Sequence, residues 1–295
     1  MGSEVGNGDN QVSDSLDVRT LSFVISIIGL VLCFCMLYVF ATRKTYGGFM
    51  HWTAASILLG GAMGLVSYRN ILPDFASILV ANLLIVAGIG LVARGLELFT
   101  GKKPNNWLFI SISAVAVVVF PCFTFYAPSV NARIISLSAI LAVLFGYSAY
   151  ISHKDIPKLV KDRNSFLLAS FSILALWNLL RMIMTATSDP IPDLMTASIF
   201  HGITLTVFLC GHITVITGLI IVNFQKVELD LSTAIDEVKT LRGIIPICTS
   251  CKKIKDDKGA WGLVEEYVRA HSHAEFSHGM CPECMKKFYP EYVDD

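Results

Sequence analysis

Seven apolar stretches, each more than twenty residues long, constrain this chain before any other feature does. They lie near residues 20–42, 49–69, 74–100, 106–126, 131–152, 165–187 and 193–223. A run of that length with few charges crosses roughly 30 Å of hydrocarbon as a helix, and inside lipid a segment must satisfy its own backbone hydrogen bonds. The expected fold is therefore an all-α membrane protein built on a seven-transmembrane helix bundle. Composition agrees, since 54% of the 295 residues are hydrophobic and only 16% are charged, a balance that points away from an ordinary globular domain. The formal net charge is zero, which gives no reason to expect a nucleic-acid partner. The lipid bilayer is the first partner implied.

Residues 1–18 are polar and acidic without apolar periodicity, and they read as a disordered extracytoplasmic tail. The seven-span sensor domain is expected over 19–223. Arg43, Lys44, Lys102, Lys103, Lys154, Lys158, Lys161 and Arg163 follow spans one, three and five, whereas the opposite loops and the tail carry only Arg19, Arg69 and Arg133. The positive-inside rule then puts the N-terminus outside and the C-terminus in the cytoplasm of a plasma membrane. Gly60 and Gly64 form a G-x-x-x-G that, like Gly88 and Gly95, suits close helix packing within the bundle.

Ionisable and amide groups inside apolar spans are costly, so each calls for an account. Asn82 and His201 each fall eight residues into their spans, about 12 Å below the outer end by helical rise. Asn178, Arg181 and Thr185 share one face of span six, and Arg69 caps span two on the same side. Arg69, Asn82, Asn178, Arg181 and His201 are thus candidates to line a ligand-binding cavity open to the outside, suited to a small anionic or polar ligand because guanidinium groups clasp carboxylates in a fork. The competing account is that the arginines reach the headgroups and the amides and imidazoles bond neighbouring helices. On span seven, His201, Thr204, Phe208 and His212 form a stripe at helical spacing. A haem or metal bridged between helices would need histidines on two spans at matched depth, and the other intramembrane histidine, His51, lies at the inner end. Arg94 and Glu97 are spaced for an intrahelical ion pair. The spans hold no lysine for a retinal Schiff base.

The last span runs on into polar sequence, and a single helix is expected from Asp193 to Gly243, about 75 Å long. Phe224, Val227, Leu231, Ala234, Val238 and Leu241 follow a 3-4-3-4-3 spacing, the seam of a two-stranded coiled coil. Residues 224–243 therefore read as a coiled-coil linker helix in a homodimer. Beyond Gly243 and Pro246, residues 244–295 hold Cys248 and Cys251, then Cys281 and Cys284. Two residues between thiolates let both sulfurs reach one ion at about 2.3 Å, and four such ligands close a structural zinc site. This predicts a small C-terminal zinc-binding domain. A redox-active dithiol and an iron–sulfur centre are the alternatives, and His278 is placed to ligate, to support a ligand or to pack a turn. An amphipathic helix is expected from Trp261 to Ala270. The other thiols, Cys33, Cys35, Cys122 and Cys210, sit in apolar runs as small hydrophobes. Nucleotide loops and kinase or cyclase signatures are lacking, so no enzymatic activity is expected.

Two resemblances attach to particular stretches. Residues 67–101, SYRNILPDFASILVANLLIVAGIGLVARGLELFTG, resemble the seven-helix sensor modules that precede diguanylate cyclase and histidine kinase domains in bacteria, with Arg69, Pro73, Asn82 and Gly101 at matching positions. Residues 241–291, with both C-x-x-C pairs, Trp261 and the Phe276-Ser277-His278-Gly279 run, are similar to a cysteine-rich C-terminal extension of bacterial PAS sensor proteins and response regulators. The resemblances imply a bacterial membrane receptor that senses an external or membrane-borne stimulus and signals through its coiled coil to a cytoplasmic partner, a separate kinase or cyclase. The cyclase or kinase domain of the first group is replaced here by the cysteine module. A different reading is a membrane-anchored redox or metal sensor whose four-cysteine site is itself the input.

Overall fold

The computed structural model describes residues 18–160, 165–195, 199–237, 245–256, 259–272 and 274–292. The chain divides between Leu229 and Asp230 into two compact units. Among the described residues seven helical spans are long and apolar enough to cross a membrane, consistent with a multi-pass membrane protein. They are built on α1 (Val18–Thr42), α2 (Phe49–Ser67), α3 (Ala81–Phe99, within a span Phe75–Phe99), α4 (Asn106–Pro121, within a span Asn106–Tyr126), α5 (Val130–Lys154), α6 (Ser165–Ala186) and α7 (Ile199–Glu237). The expected tail, apart from Val18, lies outside the described residues. Val18 itself is buried at the start of α1.

Local chemistry explains where several helices begin. The side chain of Asn105 accepts from Leu108 N at 3.3 Å and that of Ser129 from Ala132 N at 3.2 Å, so α4 and α5 each start on a capping side chain. Two spans contain wide turns. A π-helical turn, Phe75–Val80, leads into α3, and another, Cys122–Tyr126, follows Pro121 at the end of α4. The second accommodates a proline that an α-helix interior does not.

The helices pack through small residues. A Cβ on Gly29 would sit 2.9 Å from Gly60 Cα, which brings α1 and α2 into backbone contact, and a Cβ on Gly64 would meet Ser26 Oγ at 3.1 Å. The G-x-x-x-G of α2 thus faces α1 within the same chain. Side chains from Met36, Trp52, Leu96, Leu144, Phe171 and Leu219 belong to one continuous apolar core. In contrast, α4 turns much of its surface outward, as Trp107, Val117 and Val118 show. Cys33 is buried, whereas Cys35, Cys122 and Cys210 are exposed on the outside of the bundle, so burial as small hydrophobes holds for Cys33 alone among these four.

Helix α7 starts at Ile199, later than the expected Asp193. Asp193 instead accepts from Asn70 Nδ2 at 2.7 Å and from Met195 N at 3.1 Å, which ties the approach to α7 to the loop after α2. The helix is 39 residues long, about 58 Å at 1.5 Å per residue. The expected seam positions Phe224, Leu231 and Ala234 are exposed in the single chain and Val227 is half-buried, while Val238 and Leu241 lie outside the described residues.

The second unit is not purely helical. Strands β1 (Ile254–Lys255) and β2 (Trp261–Gly262) pair antiparallel, Ile254 with Gly262 and Lys255 with Trp261. Trp261 therefore lies in a strand, and the helix α8 starts only at Val264 and ends at His271. The correction has a simple cause: Gly259, at φ +86°, closes a turn that returns the chain onto Ile254. Val264, Tyr267, Val268 and His271 do form the half-buried face of α8, with the Tyr267 and His271 rings stacked at 4.1 Å. A last short helix, α9 (Pro282–Phe288), follows Cys281.

Candidate functional site

A cavity of about 140 Å³ lies among α1, α2, α3, α5, α6 and α7. That is on the order of ten times the space one water needs. Its lining includes Arg69, Asn82, Arg181 and His201, four residues from four different helices or loops. The fifth candidate, Asn178, does not line it. Asn178 is fully buried in α6, where its Nδ2 donates to Leu174 O at 2.8 Å.

Arg69, Asn82, Arg181 and His201 lie toward one end of the bundle, whereas His212, eleven residues further along α7, lines the cavity deeper in. His201 is in the first turn of α7, so its depth below the helix start is less than an origin at Asp193 implies. Asn82 is the second residue of α3, and its Nδ2 donates to Ile78 O at 2.8 Å. Ser77 also lines the cavity, although five residues separate it from Asn82. The π-helical turn at Phe75–Val80, whose bonds run between residues five apart, accounts for this shared side. Arg69 sits in the loop after α2, where Asn70 adopts φ 67° and the Arg69 carbonyl accepts from Arg19 Nη2 at 3.2 Å. Burial pushes the Arg69 guanidinium down to about 10, Arg133 adds to that effect, and Asp193 and Asp74 oppose it.

Arg181 differs from Arg69 in having no acid beside it among the described residues. It is 7% exposed, its Nε has no hydrogen-bond partner among the described residues, and its guanidinium lies 5.8 Å from the Phe208 ring centre. Both ring nitrogens of His201 are likewise buried without a partner among the described residues, as are Asn178 Oδ1 and His212 Nε2. A buried polar atom left without a partner costs about 1–3 kcal/mol. Of these residues Arg181, His201 and His212 line the cavity, whereas Asn178 does not. The rest of the stripe on α7 also faces inward, because Thr204, Phe208 and His212 join His201 in the lining.

At the other end of the bundle, Glu97 does not pair with Arg94. Its Oε1 accepts from Tyr147 Oη at 2.5 Å and from Asn105 N at 3.1 Å, while the Arg94 guanidinium lies over Phe109 at 5.8 Å. On the same side Asn223 of α7 is fully buried. It accepts from Tyr46 N and donates to Lys44 O, both at 3.2 Å, and Lys226 Nζ lies 4.3 Å from the Tyr46 ring centre. These contacts fasten α7 to the connection between α1 and α2.

In the second unit the two C-x-x-C pairs occupy different local frames. Cys248 and Cys251 lie in a tight turn closed by Cys248 N to Lys253 O at 2.8 Å and Lys252 N to Cys248 O at 3.0 Å, with Lys252 at φ 58°. Cys281 precedes α9 and its carbonyl accepts from Met285 N at 2.9 Å, which sets Cys284 in the first turn. The Cys251 and Ser250 amides hold the Cys248 thiol below its ordinary range, and the Cys284 amide and thiol do the same for Cys281. One thiol of each pair is thus moved toward thiolate, the form that binds metal. The donor chemistry fits a thiophilic divalent ion, but among the described residues no group of three or more metal-binding side chains converges. His278 is exposed between α8 and α9.

No known protein family, curated protein or solved structure matches this chain.

Proposed function

We propose that this protein is a membrane-embedded sensory receptor. Its stimulus, external or borne by the membrane, acts at the cavity, and the response passes along α7 through a dimeric coiled coil to the cysteine module, which engages a cytoplasmic signalling partner such as a kinase or cyclase. The observation that carries the reading is the position of α7. One helix bears His201 on the cavity wall, Asn223 at the fastening to the α1–α2 connection, and exposed apolar seam residues beyond it. A change of a few kcal/mol in the balance of two bundle states is enough to shift such a population. The charge asymmetry of the loops supports an outside N-terminus and a cytoplasmic C-terminus in a bacterial plasma membrane.

In this reading Cys248, Cys251, Cys281 and Cys284 hold one zinc ion, which supplies a small domain with folding energy that its thin core lacks. The test is twofold. A cysteine at Leu231 in native membranes is expected to form a symmetric disulfide whose yield changes on substitution of Arg181 or His201. Absence of any symmetric product defeats the dimeric mechanism. Purified protein is expected to carry zinc at about one equivalent per chain, as four thiolate ligands per ion require.

One observation favours a second reading, a redox or metal sensor with its input at the cysteines. Cys251, Cys281 and Cys284 are exposed, and each pair interacts within itself. If mild oxidant releases zinc and triggers output while Arg181 and His201 variants respond normally, that reading replaces the first.

A further inference from the structure

The cavity wall is divided in a way that a small polar ligand does not explain. From His201 the lining of α7 continues through Leu205, Phe208, Val215 and Ile216, fifteen residues along one helix and therefore about 22 Å. An acyl chain in one leaflet spans about 15 Å, half of a 30 Å hydrocarbon core. Opposite this stretch the walls are aliphatic or aromatic, among them Ile85, Ile89 and Val92 of α3 and Leu137, Leu141 and Phe145 of α5. Past Thr204, His212 interrupts the apolar α7 face. Water needs two to four polar partners at each position, and this lower wall offers few, so hydrocarbon is the better match.

The upper end selects an anion. A guanidinium as buried as Arg181 is costly unless an opposite charge accompanies it, and among the described residues it has neither an ion pair nor a hydrogen bond. His201, close by, carries two buried nitrogens that likewise lack a partner among the described residues. Arg69 is already attended by Asp193 and Asp74, which among the described residues of the cavity wall leaves Arg181 as the cation without a counter-charge. A carboxylate matches a guanidinium fork.

We propose that the cavity binds a long, unbranched monocarboxylate, an ionised fatty acid, with its head at Arg181 and His201 and its chain laid along α7 between α3 and α5. The assignment deepens the sensory reading and rests on it for its consequence, yet binding is measurable apart from signalling.

The experiment uses the full chain, delipidated and returned to nanodiscs of a single synthetic phosphatidylcholine, with radiolabelled palmitate as probe. Saturable binding is expected, with palmityl alcohol and butyrate each competing about tenfold less well or worse, the scale of one charged hydrogen-bond set or of several lost methylenes. Arg181→Gln is expected to weaken palmitate by a similar factor, Arg181→Lys by less, and Leu141→Trp to obstruct the chain. The competition series needs no substitution, so a variant that fails to fold does not spoil the test. Partition without saturation, equal competition by the alcohol, or equal competition by butyrate each overturns the assignment. So does displacement of palmitate by phosphatidylglycerol at equal concentration, which would make this a phospholipid site. Disulfide yield at a Leu231 cysteine, read in the same nanodiscs, separates the two claims. Saturable palmitate binding with unchanged yield defeats the sensory reading and leaves the ligand, whereas a yield change caused by another solute in the absence of palmitate binding does the reverse.

Discussion

Glu97 is only 1% exposed within an apolar helix, and its carboxylate is held by the Tyr147 hydroxyl and the Asn105 amide. Removing the acceptor leaves the partly buried Tyr147 hydroxyl and Asn105 amide unmatched, at up to about 1–3 kcal/mol in all. Glu97→Ala is therefore expected to lower thermal stability, and a double-mutant cycle of Glu97→Gln with Tyr147→Phe should return a coupling above about 0.5 kcal/mol, the lower range for contacting pairs. Additive changes would disprove the contact. Gly95 makes a second prediction. A Cβ there would fall on the Trp52 indole nitrogen, which donates to Val92 O at 3.2 Å, so Gly95→Ala should cost about 1–3 kcal/mol by overpacking, read as a lower unfolding midpoint. The sequence made Arg181, His201 and Asn82 legible because polar groups in apolar runs stand out by their cost. It did not reveal that Asn178 bonds its own helix instead of lining the cavity. Nor did spacing on one helix disclose that Glu97 would bond Tyr147, fifty residues away, in preference to Arg94.

At the scale of elements, α7 combines fastening and transmission. Asn223→Leu removes both hydrogen bonds to the α1–α2 connection and should destabilise the bundle by about 1–3 kcal/mol, two net bonds' worth. It should also change disulfide yield at a Leu231 cysteine, since that end of α7 is then less restrained. An unchanged yield would mean that the fastening is not part of the transmission path. Helix boundaries were less legible than helices. Asp193 looked like a helix start, but its carboxylate is engaged by Asn70 across the loop. Trp261 is expected to open the helix that runs to Ala270, yet the turn at Gly259 carries it into a strand against Lys255. The π-helical turn before α3 left no periodic trace at all, because one wide turn shifts the face of everything beside it.

For the whole molecule, the seven helices were readable directly, since run length and hydropathy alone decide whether a segment can span lipid. Orientation rests on loop charge and makes a labelling prediction. In intact cells a membrane-impermeant thiol reagent should modify a cysteine placed at Asp189 and spare one at Lys103, and the opposite pattern would invert the topology. Which helices surround the cavity was not readable, because no short-range pattern encodes the order in which seven helices pack. Gly29 and Gly60 belong to that arrangement, and both line the cavity. There the two main chains touch, so no side chain can swing aside at that level. The spacing between α1 and α2 and the bore of the cavity are consequently one dimension. A single added methyl would widen the first by prying the helices apart, which makes this pair a rigid calibre in a wall where Leu59, Met63 and Leu141 can change rotamer.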